Sequence, residues 1–199
     1  MFTGLIQKIG EVKSINSHHG DIQAILSADS DFVSTIEEGD SLSVNGVCLT
    51  AYNINKDSFA VDISNETLDV SSLTQINTGY KVNIETSLCL QDKLGGHLVS
   101  GHVDCIAKLT ELHEDARSYR LGFKLSNNNY LKYIVKKGSI CVDGVSLTVN
   151  KESDDSFFVN IIPFTWNNTI MQFYKLEAIV NIEVDRIALH VEKLLNNKG

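Results

Sequence analysis

The sequence lacks three features that would have narrowed its class at once. It has no apolar run near the ~18 residues of a transmembrane helix, no low-complexity stretch and no cluster of Lys and Arg. A net charge of −8 opposes nonspecific binding to nucleic acid, which requires clustered positive charge. After Met1 comes a strand-like FTGLI rather than the basic and apolar segments of a secretion signal. We therefore expect a cytoplasmic protein that binds neither membranes nor nucleic acid.

Cysteine is sparse and shows no paired spacing. The four cysteines are Cys48, Cys89, Cys105 and Cys141, and no two of them form a CxxC pair. A disulfide framework is a poor interpretation of such a pattern, so free thiols are expected. We expect Cys89 and Cys105 to be buried apolar residues rather than ligands.

The most informative feature that is present is an internal repeat. GDSLSVNGVCLT, from Gly39 to Thr50, returns as KGSICVDGVSLT, from Lys137 to Thr148, a shift of 98 positions. DSFAVDISNET and VNIE recur at the same shift, and FTGLIQKI is answered by VSGHVDCI. Because this period exceeds the ~20 to 50 residues of solenoid repeats, it predicts one small domain that has been duplicated. Two similar lobes suggest two similar pockets and two like ligands.

Each copy has the pattern of a small antiparallel β domain. Short β-branched runs are separated by turn residues at intervals of roughly 10 residues. Asn45-Gly46 and Asp143-Gly144 indicate hairpins, because both central residues of a type I′ turn need positive φ. The pattern predicts a small barrel or sandwich in each lobe.

The hairpins place two reactive residue types at equivalent positions. Cys48 and Ser146 each lie two residues beyond their turn, so both face the same way within their lobes. Because side chains alternate along a strand, Thr50 shares the face of Cys48 and Thr148 shares the face of Ser146.

Helical patterns are few, and the longest is at the C-terminus. Short helical segments are predicted for 31–38 and 127–137, with single turns near Asn65 and Thr165. The last helix can be capped by Asp185 and ends before Gly199. Its apolar stripe consists of Ile187, Val191, Leu194 and Leu195. The stripe can pack back on its own lobe or pair with other copies of the chain, and we favour self-association because each lobe already has a full set of strands. The predicted divisions are residues 1–97, 98–185 and 186–199.

The segment GGHLVSGHVDC, from Gly95 to Cys105, has the densest unusual chemistry. His97 and His102 raise the question of a metal site, but residues five apart on a strand face opposite sides and no second cluster completes four ligands. The alternative is a histidine beside a glycine-rich backbone that a planar ligand can approach closely.

The reactive side chains are ambiguous when each is taken alone. Cys48 fits a nucleophile or ordinary packing, and Ser146 needs a base before it can react. Asp185 fits an acid or a helix cap.

A set of motifs in order makes the chain resemble a known family. From Met1 to about Leu195, the chain resembles the alpha-type riboflavin synthase family. The motifs that match are MFTGLI, NGVCLT, GGHLVSGHVD, KKGSI, DGVSLTV, IIP followed by FT, and VNIEVD. The resemblance implies an all-β fold of two tandem six-stranded Greek-key barrels with a C-terminal helix through which subunits form a homotrimer. It also implies an active site between the N-terminal barrel of one subunit and the C-terminal barrel of a neighbour.

The resemblance implies a reaction without cofactor or metal. Two molecules of 6,7-dimethyl-8-ribityllumazine dismutate by transfer of a four-carbon unit, giving riboflavin and 5-amino-6-(D-ribitylamino)uracil. On this basis Cys48 or a water is the candidate nucleophile, and His102 with Ser146 is the candidate proton-transfer pair. The catalytic residues that the resemblance implies are Cys48, His102, Ser146, Thr148 and Asp185, supported by Ser41, Thr50 and Asp143.

The resemblance also implies substrate-binding positions in both lobes. We assign the first pocket to residues of the N-terminal copy, and the second to their counterparts. The first set is Gly4, Leu5, Ile6, Cys48, Leu49, Thr50, Asp62, Ile63, Ser64, Asn65, Glu66 and Thr67. The second set is Gly101, His102, Val103, Lys137, Ser146, Leu147, Thr148, Asn160, Ile161, Ile162, Pro163, Phe164 and Thr165. Phe164 departs from the polar residue common in the family at its position.

Three other interpretations compete with catalysis. Lumazine-binding antenna proteins share the duplicated barrel without the reaction, although Cys48, His102, Ser146 and Asp185 together favour an enzyme. A flavin reductase domain is disfavoured because Arg117-Ser118-Tyr119-Arg120 has the wrong order and no glycine-rich βαβ unit follows. A purely structural trimer gives no reason for a duplicated polar pocket.

Overall fold

A computed structural model describes residues 1–18 and 20–196 of the chain. These residues form two closed six-stranded antiparallel barrels, in which the strand orders are β1-β2-β5-β4-β3-β6 and β7-β8-β11-β10-β9-β12. The two orders are the same once the repeat is taken into account. The all-β prediction of two six-stranded barrels and a C-terminal helix is therefore confirmed.

Repeated sequence forms repeated strands. The N-terminal barrel contains β1 Lys8–His18, β2 Asp21–Ser27, β3 Ser41–Val44, β4 Val47–Tyr52, β5 Ser58–Ile63 and β6 Lys81–Thr86. The C-terminal barrel contains β7 Cys105–Asp115, β8 Ser118–Leu125, β9 Ser139–Val142, β10 Val145–Glu152, β11 Ser156–Ile161 and β12 Ile179–Val184. The β3–β4 and β9–β10 hairpins turn at Asn45-Gly46 and Asp143-Gly144, with φ values of 47°, 78°, 44° and 82°. Both predicted turns are thus confirmed.

The helices between strands are short. α1 is Ser30–Val33, α2 is Asn65–Val70 and α3 is Pro163–Asn167, and 3₁₀ turns occupy Ser72–Gln75, Asn128–Tyr133 and Ile170–Phe173. α1 ends well before the predicted limit at Glu38. The reason is that Ser34 Oγ donates to Asp31 O and Thr35 Oγ1 donates to Phe32 O, which competes with continued helix. The 127–137 segment likewise forms only a 3₁₀ turn.

Each barrel has its own apolar core. Phe59 and Leu26 are fully buried in the first barrel, and Phe123 stacks on Phe157 in the second with ring centroids 5.3 Å apart. Alternation produces these cores, since β4 buries Val47, Leu49 and Ala51 and turns the residues between them outward.

The last helix, α4, spans Arg186–Asn196. Asp185 caps it as predicted, because Asp185 Oδ1 accepts a hydrogen bond from the Ile187 N–H at 2.9 Å. The predicted apolar stripe is exposed at Ile187, Val191, Leu194 and Leu195. Gly199, the predicted end, lies outside the described residues.

Two compositional expectations can be compared with the described residues. All four cysteines are free thiols, with Cys105 and Cys141 buried, whereas Cys89 is exposed. The expectation of a buried Cys89 was wrong because the residue falls in the loop between the barrels rather than on a strand. Within the described parts of the chain, no helix is long and apolar enough to cross a membrane.

Two buried asparagines join the barrels. Asn83 on β6 donates through Nδ2 to Asp143 O at 2.8 Å, and its Oδ1 accepts from the Ile170 N–H at 2.8 Å. Asn181 on β12 is its counterpart, donating to Asn45 O at 2.8 Å and accepting from the Ser72 N–H at 2.6 Å. Both amides are almost wholly buried and use both of their ends across the boundary.

The hydrogen bonds at the contact between the barrels are symmetrical, except that Asp143 stands where the first lobe has Asn45. Asn45 Oδ1 accepts from the Asn83 N–H at 2.7 Å, while the matching Asp143 Oδ1 accepts from the Asn181 N–H at 2.7 Å. Asp143 Oδ2 also accepts from the Tyr174 hydroxyl at 2.5 Å. Burial raises the pKa of Asp143 to about 7, against the opposing effect of these hydrogen bonds.

The substitution Asp143→Asn should make the protein more stable at and above neutral pH. A carboxyl whose folded pKa is raised from 3.8 to about 7 holds its proton more tightly in the folded state. Its contribution to the free energy of unfolding therefore falls as pH rises through this window. Urea unfolding from pH 4 to pH 8 should show a gain for Asp143→Asn that grows with pH.

The repeat offers a reciprocal control. Asn45→Asp should add a buried carboxylate without a tyrosine partner, since Ile76 stands where Tyr174 does in the second lobe. This variant should lose stability as pH rises. A difference between Asp143→Asn and wild type that stays constant with pH would contradict the assignment.

Candidate functional site

Equivalent strands present Cys48 and Ser146 on the outer faces of their barrels. Both side chains are partly exposed, while Leu49 and Leu147 beside them point into the cores. Thr50 and Thr148, two residues further along, are exposed on the same faces. The structure thus gives the two reactive side chains matched surroundings.

Each of these strands is paired with a segment from the other lobe. The Cys48 N–H donates to Gly101 O at 2.8 Å, and the Ser146 N–H donates to Gly4 O at 2.8 Å. The two segments meet where Phe2 and Val99 form a short antiparallel bridge. We call residues 3–6 and 100–103 the crossing segments, because each lies against the barrel that it does not belong to.

A buried glutamate fixes each crossing segment. The Glu85 carboxylate accepts from the Thr3 N–H at 2.7 Å and from the Gly4 N–H at 3.0 Å. The Glu183 carboxylate accepts from the Ser100 N–H at 2.6 Å and from the Gly101 N–H at 2.8 Å. Burial raises the pKa of Glu85, although hydrogen bonds from Thr3 and Gly4 oppose the effect.

Glycine is required where each segment crosses. Gly4 and Gly101 have φ values of 75° and 80°, which L side chains rarely adopt. A Cβ on Gly101 would lie 2.6 Å from the Cys48 Cβ, and one on Gly4 would lie 2.5 Å from the Ser146 Cβ. The glycines therefore allow the backbone of each segment to lie directly on the other barrel.

The first pocket forms around Cys48 with a volume of about 330 Å³. Its walls come from β4, from α2 and from the second crossing segment. Its lining residues are Val47, Cys48, Glu66, Thr67, Val70, Ser71, Gly101, His102 and Val103.

The second pocket forms around Ser146 with a volume of about 150 Å³. Its walls come from β10, from α3 and from the first crossing segment. Its lining residues are Gly4, Leu5, Ile6, Val145, Ser146, Phe164, Thr165, Asn168 and Thr169. Phe164 has a largely exposed ring at the position matched by Glu66 in the first pocket.

Each crossing segment lies in the opposite pocket from the one that was inferred from the sequence. Gly4, Leu5 and Ile6 were assigned to the Cys48 pocket, yet they line the Ser146 pocket. The segment from Gly101 to Val103 was assigned to the Ser146 pocket, yet it lines the Cys48 pocket. The physical reason is that each segment uses its backbone to extend the other barrel's strand rather than its own.

Within one chain, the predicted pair of Ser146 and His102 lies in two different pockets. His102 lines the Cys48 pocket, whereas Ser146 Oγ lies 2.7 Å from Nδ1 of His97. Burial lowers the pKa of His97, and the nearby Asp185 and Glu183 carboxylates partly oppose this. His97 Nε2 is buried without a hydrogen-bond partner among the described residues.

Several other predicted residues lie outside the two lined pockets. Asp143 is at the contact between the barrels, Asp185 caps α4, and Lys137 is an exposed loop residue. Ser41 pairs with Thr50 on the β3–β4 hairpin. Ile63 and Ile161 have their side chains in the cores, so any ligand contact there would come from the backbone.

The remaining predicted positions surround the start of α2 and α3. The Asp62 carboxylate accepts from the Tyr52 hydroxyl at 2.5 Å, and Ser64 caps α2 by accepting from the Thr67 N–H. Asn65 donates its N–H to Asp21, Asn160 Nδ2 donates to Asp115, and Ile162 and Pro163 begin α3. In the described residues, no group of three or more His, Cys, Asp or Glu side chains could hold a metal ion.

Sequence reasoning missed the residues that hold the site together. Glu85 and Glu183 were visible as the last residues of the two VNIE repeats, and Thr3 and Ser100 were visible as their matched partners. His97 was noted in the sequence beside His102, but its contact with Ser146 had no signal in the repeat, because its position in the first copy would fall before Met1.

The matched pockets agree with comparisons to known proteins. The Lumazine binding domain model matches twice, at residues 3–87 and 100–185. The chain is 36% identical over 195 residues to the riboflavin synthase of Photobacterium phosphoreum, covering 98% of this chain and 89% of that protein. It is 38% identical over 196 residues to the riboflavin synthase of Bacillus amyloliquefaciens, covering 98% and 90%.

A solved structure supports the fold. LumP complexed with riboflavin superposes with a TM-score of 0.86 at 24% identity, covering 93% of this chain and all of that one. The two domain matches and the near full-length relatives together decide the family. The chain, with its two tandem lumazine-binding domains, belongs to the riboflavin synthase family.

Proposed function

We propose that the protein is an enzyme that converts two molecules of 6,7-dimethyl-8-ribityllumazine into riboflavin and 5-amino-6-(D-ribitylamino)uracil. The observation that carries the proposal is the pair of matched pockets around Cys48 and Ser146. A reaction between two identical molecules requires two sites of the same design. The full-length relatives named riboflavin synthase support the same activity.

The reaction balances without a cofactor. The donor loses a four-carbon unit, made of two ring carbons and their methyl groups, and the acceptor gains the same unit as a new ring. No external oxidant or reductant is needed, because the electrons lost by one molecule are gained by the other. The protein must therefore supply proton transfer, a nucleophile and orientation.

The Ser146 pocket has the arrangement for proton transfer. A buried imidazole whose pKa is lowered stays neutral at neutral pH, so His97 can accept a proton through the contact with Ser146. The proton would come from the C7 methyl group of the donor, whose anion the ring delocalises. His97 thus replaces His102 as the proton-transfer partner of Ser146, whereas His102 serves the other pocket.

The Cys48 pocket is then the candidate acceptor site. Cys48 or an ordered water would add at C7 of the acceptor ring. His102 lies in the same pocket and would accept the proton that this nucleophile gives up. Glu66 and Thr67 line this pocket and can bind ribityl hydroxyls, with Asp62 and Asn65 nearby on the same edge. In the second pocket Phe164 stands in place of the carboxylate, leaving Thr165, Asn168 and Thr169 as the polar residues beside Ser146.

Both pockets open at the surface of the chain, and the smaller one cannot bury a ligand by itself, which favours assembly. The volume of 150 Å³ at Ser146 is below the ~300 to 1,000 Å³ typical of pockets that bury a drug-sized ligand. We propose a homotrimer formed through the exposed apolar stripe of α4, in which an N-terminal barrel faces a neighbour's C-terminal barrel. The four free thiols fit the reducing cytoplasm as its location.

Incubation of the protein with 6,7-dimethyl-8-ribityllumazine alone should yield riboflavin. Chromatography should find one riboflavin and one uracil product for every two lumazines consumed, because a single four-carbon unit moves. Tight binding without product would instead assign the chain to carriers, an alternative that the likeness to LumP keeps in view.

The substitution His97→Gln should reduce turnover by about 10²-fold or more if His97 is the base for Ser146. In the wild type, kcat should fall on the acid side below the ordinary histidine pKa of about 6.5. The direction follows from burial, which lowers the pKa of His97 and keeps its neutral form to lower pH.

His113, an exposed residue on β7, provides the matched control. His113→Gln should keep both the rate and the pH profile of the wild type. An acid limb that survives unchanged in His97→Gln would remove His97 from the proposed role.

Mixing two inactive variants should restore turnover if the site spans neighbouring subunits. Cys48→Ala keeps an intact C-terminal barrel, and Ser146→Ala keeps an intact N-terminal barrel. Subunit exchange after mild denaturation and refolding of the mixture would bring the intact barrels together. Riboflavin formation by the mixture, beyond that of either variant treated alone, is the expected result. No gain, in mixtures shown by mass spectrometry to contain hybrid trimers, would place each site within one chain.

A further inference from the structure

Arg186, the first residue of α4, connects this helix to the crossing segment that carries His102. Its Nε donates to Ser100 Oγ at 2.9 Å, one terminal nitrogen donates to Asp104 Oδ1 at 3.2 Å, and the other donates to His102 O. The guanidinium therefore contacts the segment before, at and after His102. A planar fork with several donors can hold such a stretch of backbone in one position.

The surrounding charges give the contact its strength. Nε also lies 3.5 Å from Glu183 Oε1, so Arg186 faces two carboxylates, those of Glu183 and Asp104. Their side chains are only 2% and 9% exposed, against 25% for Arg186. Burial raises the pKa of Asp104, and the Arg186 charge opposes that effect. Removing Arg186 would leave two nearly buried carboxylates without their cation.

Among the described residues of the N-terminal lobe, no arginine stands at the equivalent place. Leu88 stands at the position matched to Arg186, and Leu5 stands at the position matched to His102. Glu85 holds its crossing segment by accepting from the Thr3 and Gly4 N–H groups. The arginine is thus present only for the segment that carries an imidazole into a pocket.

We propose that Arg186 is a positioning residue that sets the place of His102 in the Cys48 pocket. The inference rests on the proposed function, since His102 is assigned there to proton transfer. Helix α4 anchors the arginine, and the guanidinium fixes the segment from Ser100 to Asp104. Gly101 O in turn accepts from the Cys48 N–H, so the contacts of Arg186 help to orient both His102 and Cys48.

A double-mutant cycle on kcat tests the inference. Arg186→Met should lower kcat about tenfold in the wild type and less than about twofold in a His102→Gln background. The reason is that an effect exerted through His102 cannot be lost twice. Arg186→Lys keeps the charge without the fork and should give an intermediate loss, and it replaces Arg186→Met in the cycle if the latter does not fold. Equal losses in both backgrounds would overturn the proposal.

A control at another contact of α4 distinguishes the positioning of His102 from a general loosening of the helix. Lys132 pairs with Glu192 on α4 but does not contact the crossing segment. Lys132→Met should keep kcat within about twofold of wild type, as expected for an exposed ion pair. A loss in Lys132→Met that matches Arg186→Met would overturn the role of the arginine contacts.

A spectroscopic measurement is independent of turnover. In ¹H–¹³C spectra of the histidine rings, Arg186→Met should shift the His102 signal, assigned through His102→Gln, by more than it shifts the His97 signal. An unmoved His102 signal would overturn the inference. If the wild type makes no riboflavin, the proposed function fails, yet this spectrum still decides whether Arg186 positions His102.

Discussion

The structure depends on a pair of buried asparagine side chains that hold one barrel to the other. Asn83 and Asn181 each donate to the hairpin of the opposite lobe and accept from a 3₁₀ turn there. A buried amide that loses a partner costs the full penalty of an unsatisfied polar group, so the four bonds favour one relative orientation of the barrels. That orientation sets the register in which Gly101 O meets the Cys48 N–H and Gly4 O meets the Ser146 N–H.

The crossing segments turn this orientation into pocket geometry. Each pocket takes its strand and short helix from one barrel and its remaining wall from the other. An isolated barrel would therefore lack a wall, however well it folded. The glutamates at positions 85 and 183 tie each segment to the last strand of its own barrel, so the segment bridges two rigid bodies. Duplication therefore did more than produce a second pocket, because each lobe also contributes one wall to the pocket of the other lobe.

The sequence repeat predicted the barrels, the hairpin turns and the equivalence of Cys48 with Ser146, because these depend on local pattern and on the correspondence between copies. The repeat could not predict that each crossing segment lies against the opposite barrel. A repeat tells which residues correspond, but correspondence is the same whether a segment lies on its own barrel or on the other one. The contact of His97 with Ser146 was not predicted for a related reason, since His97 lies in the linker and the repeat gives it no counterpart. The aromatic partner of Asp143 was missed because Tyr174 matches an isoleucine.

Two identical substrates can take different roles only if the two pockets differ. The frame is close to symmetrical, with matched glutamates, glycines and asparagines, so the differences are confined to a few positions. Among the pairs that differ in chemistry are Leu5 with His102, Cys48 with Ser146, Glu66 with Phe164 and Leu88 with Arg186. Three of these pairs concern residues that line the pockets, and the fourth braces one of those residues. Since the symmetrical residues set orientation and the unmatched ones differ in chemistry, the proposed assignment of donor and acceptor rests on which lobe holds each unmatched residue.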